Sequence, residues 1–156
     1  MSEDQPKVLV FLCRWCLQAE ADWTARTQFP ANIQVVEVPC SGRLNPFFLL
    51  SALQKGADGV LVVGCEPGDC HYKEGNYLAR RKLTTLKGFL DYIGLEEQRV
   101  QFAWIGDAER GKFQQLVEGM VADVSALGPA GKLVASGLFR VWAHNRRDSV
   151  QEVYRA

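Results

Sequence analysis

Short apolar segments rich in β-branched residues alternate with stretches of helical pattern along most of the chain. The apolar segments are residues 8–12, 33–38, 60–63 and 100–105, and the helical stretches are residues 17–28, 46–55, 76–93 and 109–127. Two of the four apolar segments contain no polar residue, as expected for parallel strands that are covered on both faces. The alternation predicts an α/β fold with a parallel, flavodoxin-like βαβ sheet of about four strands.

Two of the predicted helices have recognisable ends. Asn45 and Pro46 place a capping side chain before a proline at the first helical position, where proline is tolerated. Gly56 follows that helix and Gly94 follows the helix predicted at 76–93, and glycine commonly ends helices. The local signals therefore agree with the apolar pattern.

The chain length predicts one domain with a short extension. A single domain of 156 residues buries roughly 70% of the surface that its unfolded chain exposes, so it can build a core without disulfides. The sequence Gly128-Pro129-Ala130-Gly131 interrupts the pattern, so we predict a domain over residues 1–128 and a C-terminal extension over residues 129–156. Apolar residues in the extension have roughly helical spacing, so it either packs on the domain or binds a partner chain.

Charge and hydropathy exclude several classes of protein. The chain carries 18 basic and 18 acidic residues and has a pI of about 6.7, which gives no electrostatic reason to expect binding to nucleic acid or to an anionic membrane. No apolar run approaches the roughly 20 residues that a membrane span needs. The first residues are acidic and lack the cleavage site of a signal peptide, so we expect a cytoplasmic protein.

The five cysteines are the strongest indication of chemistry in the chain. An odd number in a compartment that keeps thiols reduced argues against a disulfide framework and favours a metal site or redox chemistry. Parallel α/β sheets bind ligands outside the carboxyl ends of their strands, and every cysteine ends or follows one of the first three apolar segments. We therefore expect three loops to bring five thiols to one sheet edge: Cys13, Cys16, Cys40, Cys65 and Cys70.

Three kinds of site remain open from the residues alone. An iron–sulfur cluster uses four thiolates and leaves one cysteine as a spare or alternative ligand. A structural zinc site would use the two cysteine pairs that are close in sequence and would leave Cys40 unexplained. A thiol–disulfide switch would use the C-x-x-C pair, Cys13 and Cys16, and would leave three cysteines without a role.

The motifs around the cysteines resemble those of a known family. The run Gly64-Cys65-x-Pro67-Gly68-Asp69-Cys70-His71-Tyr72 is highly specific, and it is accompanied by Cys13-x-x-Cys16, Pro39-Cys40-Ser41-Gly42-Arg43 and Gly75-Asn76. Over about residues 7–128, the sequence resembles the delta iron–sulfur subunit of methyl-viologen-reducing (F420-non-reducing) hydrogenase.

This resemblance implies a small electron carrier with a [2Fe–2S] cluster held by four of the five cysteines. In that family the subunit links a hydrogenase or a formate dehydrogenase to the flavoprotein A subunit of heterodisulfide reductase, so these are the implied partners. The implied role is that of a non-catalytic electron-transfer subunit of an oxidoreductase complex. One departure is Arg14, where the family often has an asparagine; an Arg14 that points inward should raise the cluster potential.

Two further patterns carry less weight. The stretch from Gly106 to Lys112 has the spacing of a phosphate loop, but Phe113 stands where magnesium binding needs a hydroxyl group, so nucleotide binding is not expected. The basic run Arg80-Arg81-Lys82, with Lys87, lies on a predicted helix. Such a run is typical of a solvated helix face, or of a surface that steers an acidic redox partner.

Overall fold

The computed structural model of the chain describes residues 5–17 and 29–130. In these ranges the strands are β1 (Val8–Cys13), β2 (Ile33–Val38), β3 (Gly59–Cys65) and β4 (Val100–Ile105). The helices are α1 (Pro46–Gln54), α2 (Gly75–Tyr92) and α3 (Arg110–Leu127), and short 3₁₀ turns precede α1 and β4. All four predicted strands and three predicted helices are confirmed. The helix predicted at 17–28, apart from Leu17, and the extension beyond residue 130 lie outside the described residues.

The four strands form one sheet in the order β2-β1-β3-β4, and every neighbouring pair is parallel. Val10 of β1 lies opposite Val35 of β2 and Leu61 of β3, which defines the register at the centre of the sheet. This is the order of the first four strands in flavodoxin-like folds, so the predicted fold class is confirmed. Because all four strands run the same way, their carboxyl ends share one edge of the sheet.

Helices cover both faces of the sheet. On one face, Val10 and Leu61 pack in a cluster with Phe113 and Met120 of α3. Successive strand residues point to opposite faces, so β1 and β3 also supply the second cluster. That cluster joins the sheet to α1 and α2 and includes Phe11, Val62, Leu49, Leu53, Leu83, Leu86 and Leu90. Full burial of each of these side chains stabilises the folded state by about 1.5–3 kcal/mol. Because β1 and β3 contribute to both clusters, they lie at the centre of the fold.

The predicted helix ends are also confirmed. The Asn45 side chain accepts a hydrogen bond from the backbone N–H of Phe47 at 3.0 Å, and Pro46 is the first residue of α1. Gly56 and Gly94 follow α1 and α2 with φ angles of +102° and +77°, a backbone region that favours glycine. Within the described ranges, none of the helices combines the length and the apolarity needed to cross a membrane.

A polar network secures the amino-terminal edge of the sheet. The Asp58 carboxylate accepts hydrogen bonds from the backbone N–H groups of Lys7 at 2.8 Å and of Ala130 at 3.0 Å. Arg99 is 1% exposed, and its guanidinium donates to the Glu96 carboxylate at 2.8 Å and to the Asp58 carbonyl oxygen at 3.0 Å. These hydrogen bonds therefore stabilise the edge of the sheet opposite the cysteines.

Glu96→Gln is expected to lower the free energy of unfolding by about 2 kcal/mol, because the buried Arg99 guanidinium loses a charged hydrogen-bond partner. The control is Glu37→Gln, which breaks an exposed ion pair with Arg14 and should cost less than about 1 kcal/mol. Urea unfolding followed by circular dichroism measures both changes. Equal effects of the two variants would contradict this prediction.

Candidate metal centre

Every cysteine of the chain lies at the carboxyl edge of the sheet, and all five are buried and free of disulfides. Cys13 ends β1 and Cys65 ends β3, while Cys16 lies in the turn that follows β1. Cys40 follows β2 and precedes a 3₁₀ turn, and Cys70 lies in the loop that leads into α2. Three βα loops therefore bring the thiols to one place.

Cys13, Cys16 and Cys65 form the compact part of the site, which we call the sulfur trio. The Sγ atom of Cys65 lies 3.7 Å from that of Cys13 and 3.7 Å from that of Cys16. All three sulfur atoms lie within 4.8 Å of one another. Thiolates bound tetrahedrally to one ion at about 2.3 Å lie about 3.8 Å apart, so the sulfur trio has the spacing of ligands that share a metal.

Cys40 and Cys70, which we call the sulfur pair, both lie against the first residue of α2. A Cβ atom on Gly75 would collide with the Cys40 Sγ and come within 3.3 Å of the Cys70 Sγ. A Cβ atom on Gly42 would come within 2.5 Å of the Gly75 carbonyl oxygen. Cys70 also packs in the same cluster as the sulfur trio. Two glycines thus allow the second and third cysteine loops to approach α2 closely.

Contacts within the sulfur trio shift the pKa values of its thiols in opposite directions. Hydrogen bonds from the Cys16 thiol, and then from the Cys65 thiol, hold the pKa of Cys13 well below its ordinary value. The backbone N–H groups of Trp15 and Ser41 lower the same pKa further. The contact with Cys13, then that with Cys65, raises the pKa of Cys16. A metal ion would replace these shared protons, because thiolates are the form that binds metals.

A buried asparagine holds the loop that carries Cys65. Asn76 is fully buried, and its amide nitrogen donates to the carbonyl oxygens of Cys65 and Glu66, both at 2.9 Å. Its amide oxygen accepts a hydrogen bond from the Tyr77 backbone N–H at 2.9 Å. The sequence indicated Asn76 only as part of a motif. Its place just inside the helix that follows the cysteine loop is the signal that could have identified this role.

An aromatic stack lies beside the sulfur trio. Trp15 packs against the cluster that contains the trio, and its ring stacks on His71 with centroids 3.4 Å apart and planes 5° apart. Tyr72 meets both rings edge-on. The Trp15 Nε1 is buried and has no hydrogen-bond acceptor among the described residues. A cluster sulfur would offer this N–H an acceptor, so the residues present fit an iron–sulfur group.

Two of the cations near the site, Arg14 and Lys112, are held by carboxylates. Arg14 lies at the surface, where its Nε donates to the Glu37 carboxylate at 2.8 Å. It does not point inward, so the sequence-based reason to expect a raised cluster potential does not apply. The Lys112 ammonium contacts the carboxylates of Glu66 and Glu109, both at 2.9 Å. The lysine of the apparent phosphate loop is therefore already paired with two carboxylates.

Comparison with known proteins identifies the family. A family model described as methyl-viologen-reducing hydrogenase, delta subunit, matches residues 8–128. The chain belongs to this family. The matched region runs from β1 to α3 and contains all five cysteines, so the resemblance expected from the motifs is confirmed.

Relatives of the chain occur in two settings. The iron-sulfur subunit of the F420-non-reducing hydrogenase of Archaeoglobus profundus is 44% identical over 132 residues, which cover 83% of this chain and 96% of that protein. The vhc iron-sulfur subunit of the F420-non-reducing hydrogenase of Methanococcus voltae is 42% identical over 127 residues, covering 80% and 88%. The A subunit of the ferredoxin:CoB-CoM heterodisulfide reductase of Methanosarcina mazei is 43% identical over 128 residues, which cover 81% of this chain but 16% of that longer protein.

Proposed function

We propose that this chain is an iron–sulfur electron-transfer subunit that passes single electrons between redox proteins. The observation that carries the proposal is the buried sulfur trio with the sulfur pair beside it. Five thiols at one sheet edge exceed the four ligands that a cluster needs. The names of the hydrogenase relatives, which are iron-sulfur subunits, support iron as the metal.

The proposed cofactor is one [2Fe–2S] cluster. Cys13, Cys16 and Cys65 would supply three ligands, and Cys40 or Cys70 would supply the fourth. The cluster, when bound, provides one-electron redox chemistry. The chain contributes a buried site and backbone N–H groups that donate to the Cys13 sulfur, and such hydrogen bonds raise the potential of a cluster.

The proposed partners are those implied by the family resemblance, and the names of the relatives support hydrogenase and heterodisulfide reductase among them. The donor is a hydrogenase or a formate dehydrogenase, and the acceptor is a flavoprotein like the heterodisulfide reductase A subunit. The A subunit of the Methanosarcina mazei reductase carries a region homologous to this chain within its own longer sequence. This supports a short electron path between a chain of this family and the flavoprotein A subunit. In this role the chain needs no substrate chemistry of its own. Its location in the cytoplasm stays a prediction.

A zinc-stabilised interaction module is the second candidate, because the 3.7 Å sulfur spacing of the trio also suits one tetrahedral ion. Such a module would dock on the same enzymes without moving electrons. A switch built on the C-x-x-C pair is a third candidate and would need neither Cys65 nor the sulfur pair for activity.

Anaerobic stopped-flow mixing tests the electron-transfer role. The chain is reduced with dithionite, desalted and mixed with an oxidised flavoprotein of the heterodisulfide reductase type, and the flavin absorbance is followed. We expect the cluster band to recover while the flavin is reduced. Cys65→Ser protein, handled in the same way, should reduce no flavin. Flavin reduction at the same rate with Cys65→Ser, or none with the native chain, would contradict the proposed function.

A further inference from the structure

Helix α2 exposes large apolar side chains on the part of its surface that is not packed on the sheet. Tyr77, Leu78, Phe89 and Tyr92 are between 41% and 87% exposed. The core face of the same helix is buried through Ala79, Leu83, Leu86 and Leu90. At 3.6 residues per turn Tyr77 and Tyr92 fall opposite this buried set, whereas Leu78 and Phe89 lie on one flank of the helix between the two sides. Large apolar side chains that remain exposed on one element mark a candidate interaction surface.

Basic side chains lie among these apolar groups. Helix α2 carries four basic residues and one acidic residue, whereas the whole chain has a formal net charge of zero. Among the described residues, no carboxylate forms an ion pair with Arg80, Arg81 or Lys87. The fourth basic residue, Lys82, instead donates to the carbonyl oxygens of Gly42 at 2.8 Å and Leu44 at 3.3 Å. The outer side of α2 therefore carries unneutralised positive charge.

Neighbouring aromatic rings hold one of these cations in place. The Arg80 guanidinium lies over the Trp104 ring, 5.4 Å from its centroid. Tyr77 and Phe102 meet Trp104 edge-on, at 6.1 Å and 5.8 Å between centroids. Tyrosine, tryptophan and arginine are the residues that contribute most to protein–protein binding, and an arginine ordered before binding loses less entropy when it binds.

The position of this surface relates it to the cysteines. Helix α2 starts at Gly75, against which both sulfurs of the pair lie. Tyr77 and Leu78 lie within the first turn after that residue. A protein that covers the outer side of α2 therefore reaches the edge of the sheet where the cysteines are buried.

We propose that Tyr77, Leu78, Arg80, Arg81 and Tyr92 form a docking face for an acidic surface of the protein that accepts electrons from this chain. The identity of that partner rests on the proposed function. The aromatic and aliphatic groups supply buried contact area. The two arginines select a negatively charged partner and speed its approach, an effect that salt weakens.

Charge reversal tests the docking face against a matched control. The test variant is Arg80→Glu/Arg81→Glu, and the control is Lys7→Glu/Lys55→Glu, which makes the same charge change at two exposed positions near the opposite edge of the sheet. Calorimetry with a purified flavoprotein of the heterodisulfide reductase type gives the dissociation constant at about 50 and about 300 mM NaCl. At the lower salt we expect binding to weaken about 30-fold for the test variant and less than about 3-fold for the control. For the native chain, the higher salt should also weaken binding.

A second variant, Leu78→Ala/Tyr92→Ala, should weaken binding about 10-fold and keep the salt dependence, because it removes apolar contacts only. Three results would overturn the docking face. The first is an unchanged affinity of the arginine variant, and the second is an equal loss of affinity in the control. The third is a native dimer that the apolar variant converts to a monomer, because the face would then bind a second copy of the chain. Iron and sulfide content in the same preparations tests the proposed function separately. An iron-free chain that binds through the arginines would overturn that function alone.

Discussion

With Cys40 as the fourth ligand, Gly75→Ala is expected to weaken metal binding about 10- to 100-fold, the range seen when groups that support metal ligands are lost. The new methyl group would occupy the space of the Cys40 Sγ and come within 3.3 Å of the Cys70 Sγ, so at least one thiol of the sulfur pair must turn away. Iron content and the visible spectrum of anaerobically purified protein measure the effect.

Gly88→Ala is the matched control for this variant. It makes the same change in the same helix, but its Cβ atom would meet nothing within 4 Å. It should keep full iron content and raise the free energy of unfolding by about 0.5–1 kcal/mol, because alanine is more stable than glycine in the middle of a helix. Circular dichroism should show both variants folded. A folded Gly75→Ala protein with native iron content would mean that the thiol displaced from α2 is not an iron ligand, and Cys40→Ser should then also keep its cluster.

Single serine substitutions should divide the cysteines into two classes. Replacing Cys13, Cys16 or Cys65 removes a member of the sulfur trio, and each change should lower iron content at least about 10-fold, as expected for the loss of a ligand. Of Cys40→Ser and Cys70→Ser, one should behave like these three, and the other should keep a cluster with a native spectrum. The reason is that a cluster takes four thiolates and the trio already supplies three.

Electron paramagnetic resonance of the reduced variants, together with iron analysis, measures this division. Native iron content after loss of any trio member would contradict the ligand set. Loss of the cluster in both Cys40→Ser and Cys70→Ser would mean that all five thiols are needed. Loss of all electron-transfer activity in Cys65→Ser would exclude the hypothesis of a C-x-x-C switch, because that switch does not require Cys65.

The architecture could be predicted from sequence because its signals are local. An uninterrupted apolar run marks β3, and Asn45 with Pro46 marks the start of α1 within two residues. The gathering of the thiols could also be predicted. Once the strands are parallel, Cys13 and Cys65 at their carboxyl ends must share one edge of the sheet.

The arrangement within the site could not be predicted, because it depends on contacts between distant loops. The place of the sulfur pair against α2 depends on how closely the loop of Gly42 approaches Gly75. The stack of Trp15 on His71 joins residues of two different loops, and the outward position of Arg14 depends on Glu37 in a neighbouring strand. Neither composition nor spacing carries this information.

The measurement that tests the central claim most directly is metal and sulfide analysis of the chain after anaerobic purification, with optical spectra before and after dithionite. The proposed [2Fe–2S] electron carrier predicts about two irons and two acid-labile sulfides per chain, with a visible band that bleaches on reduction. About one zinc per chain, without sulfide and without bleaching, would contradict the electron carrier and leave a zinc-stabilised interaction module.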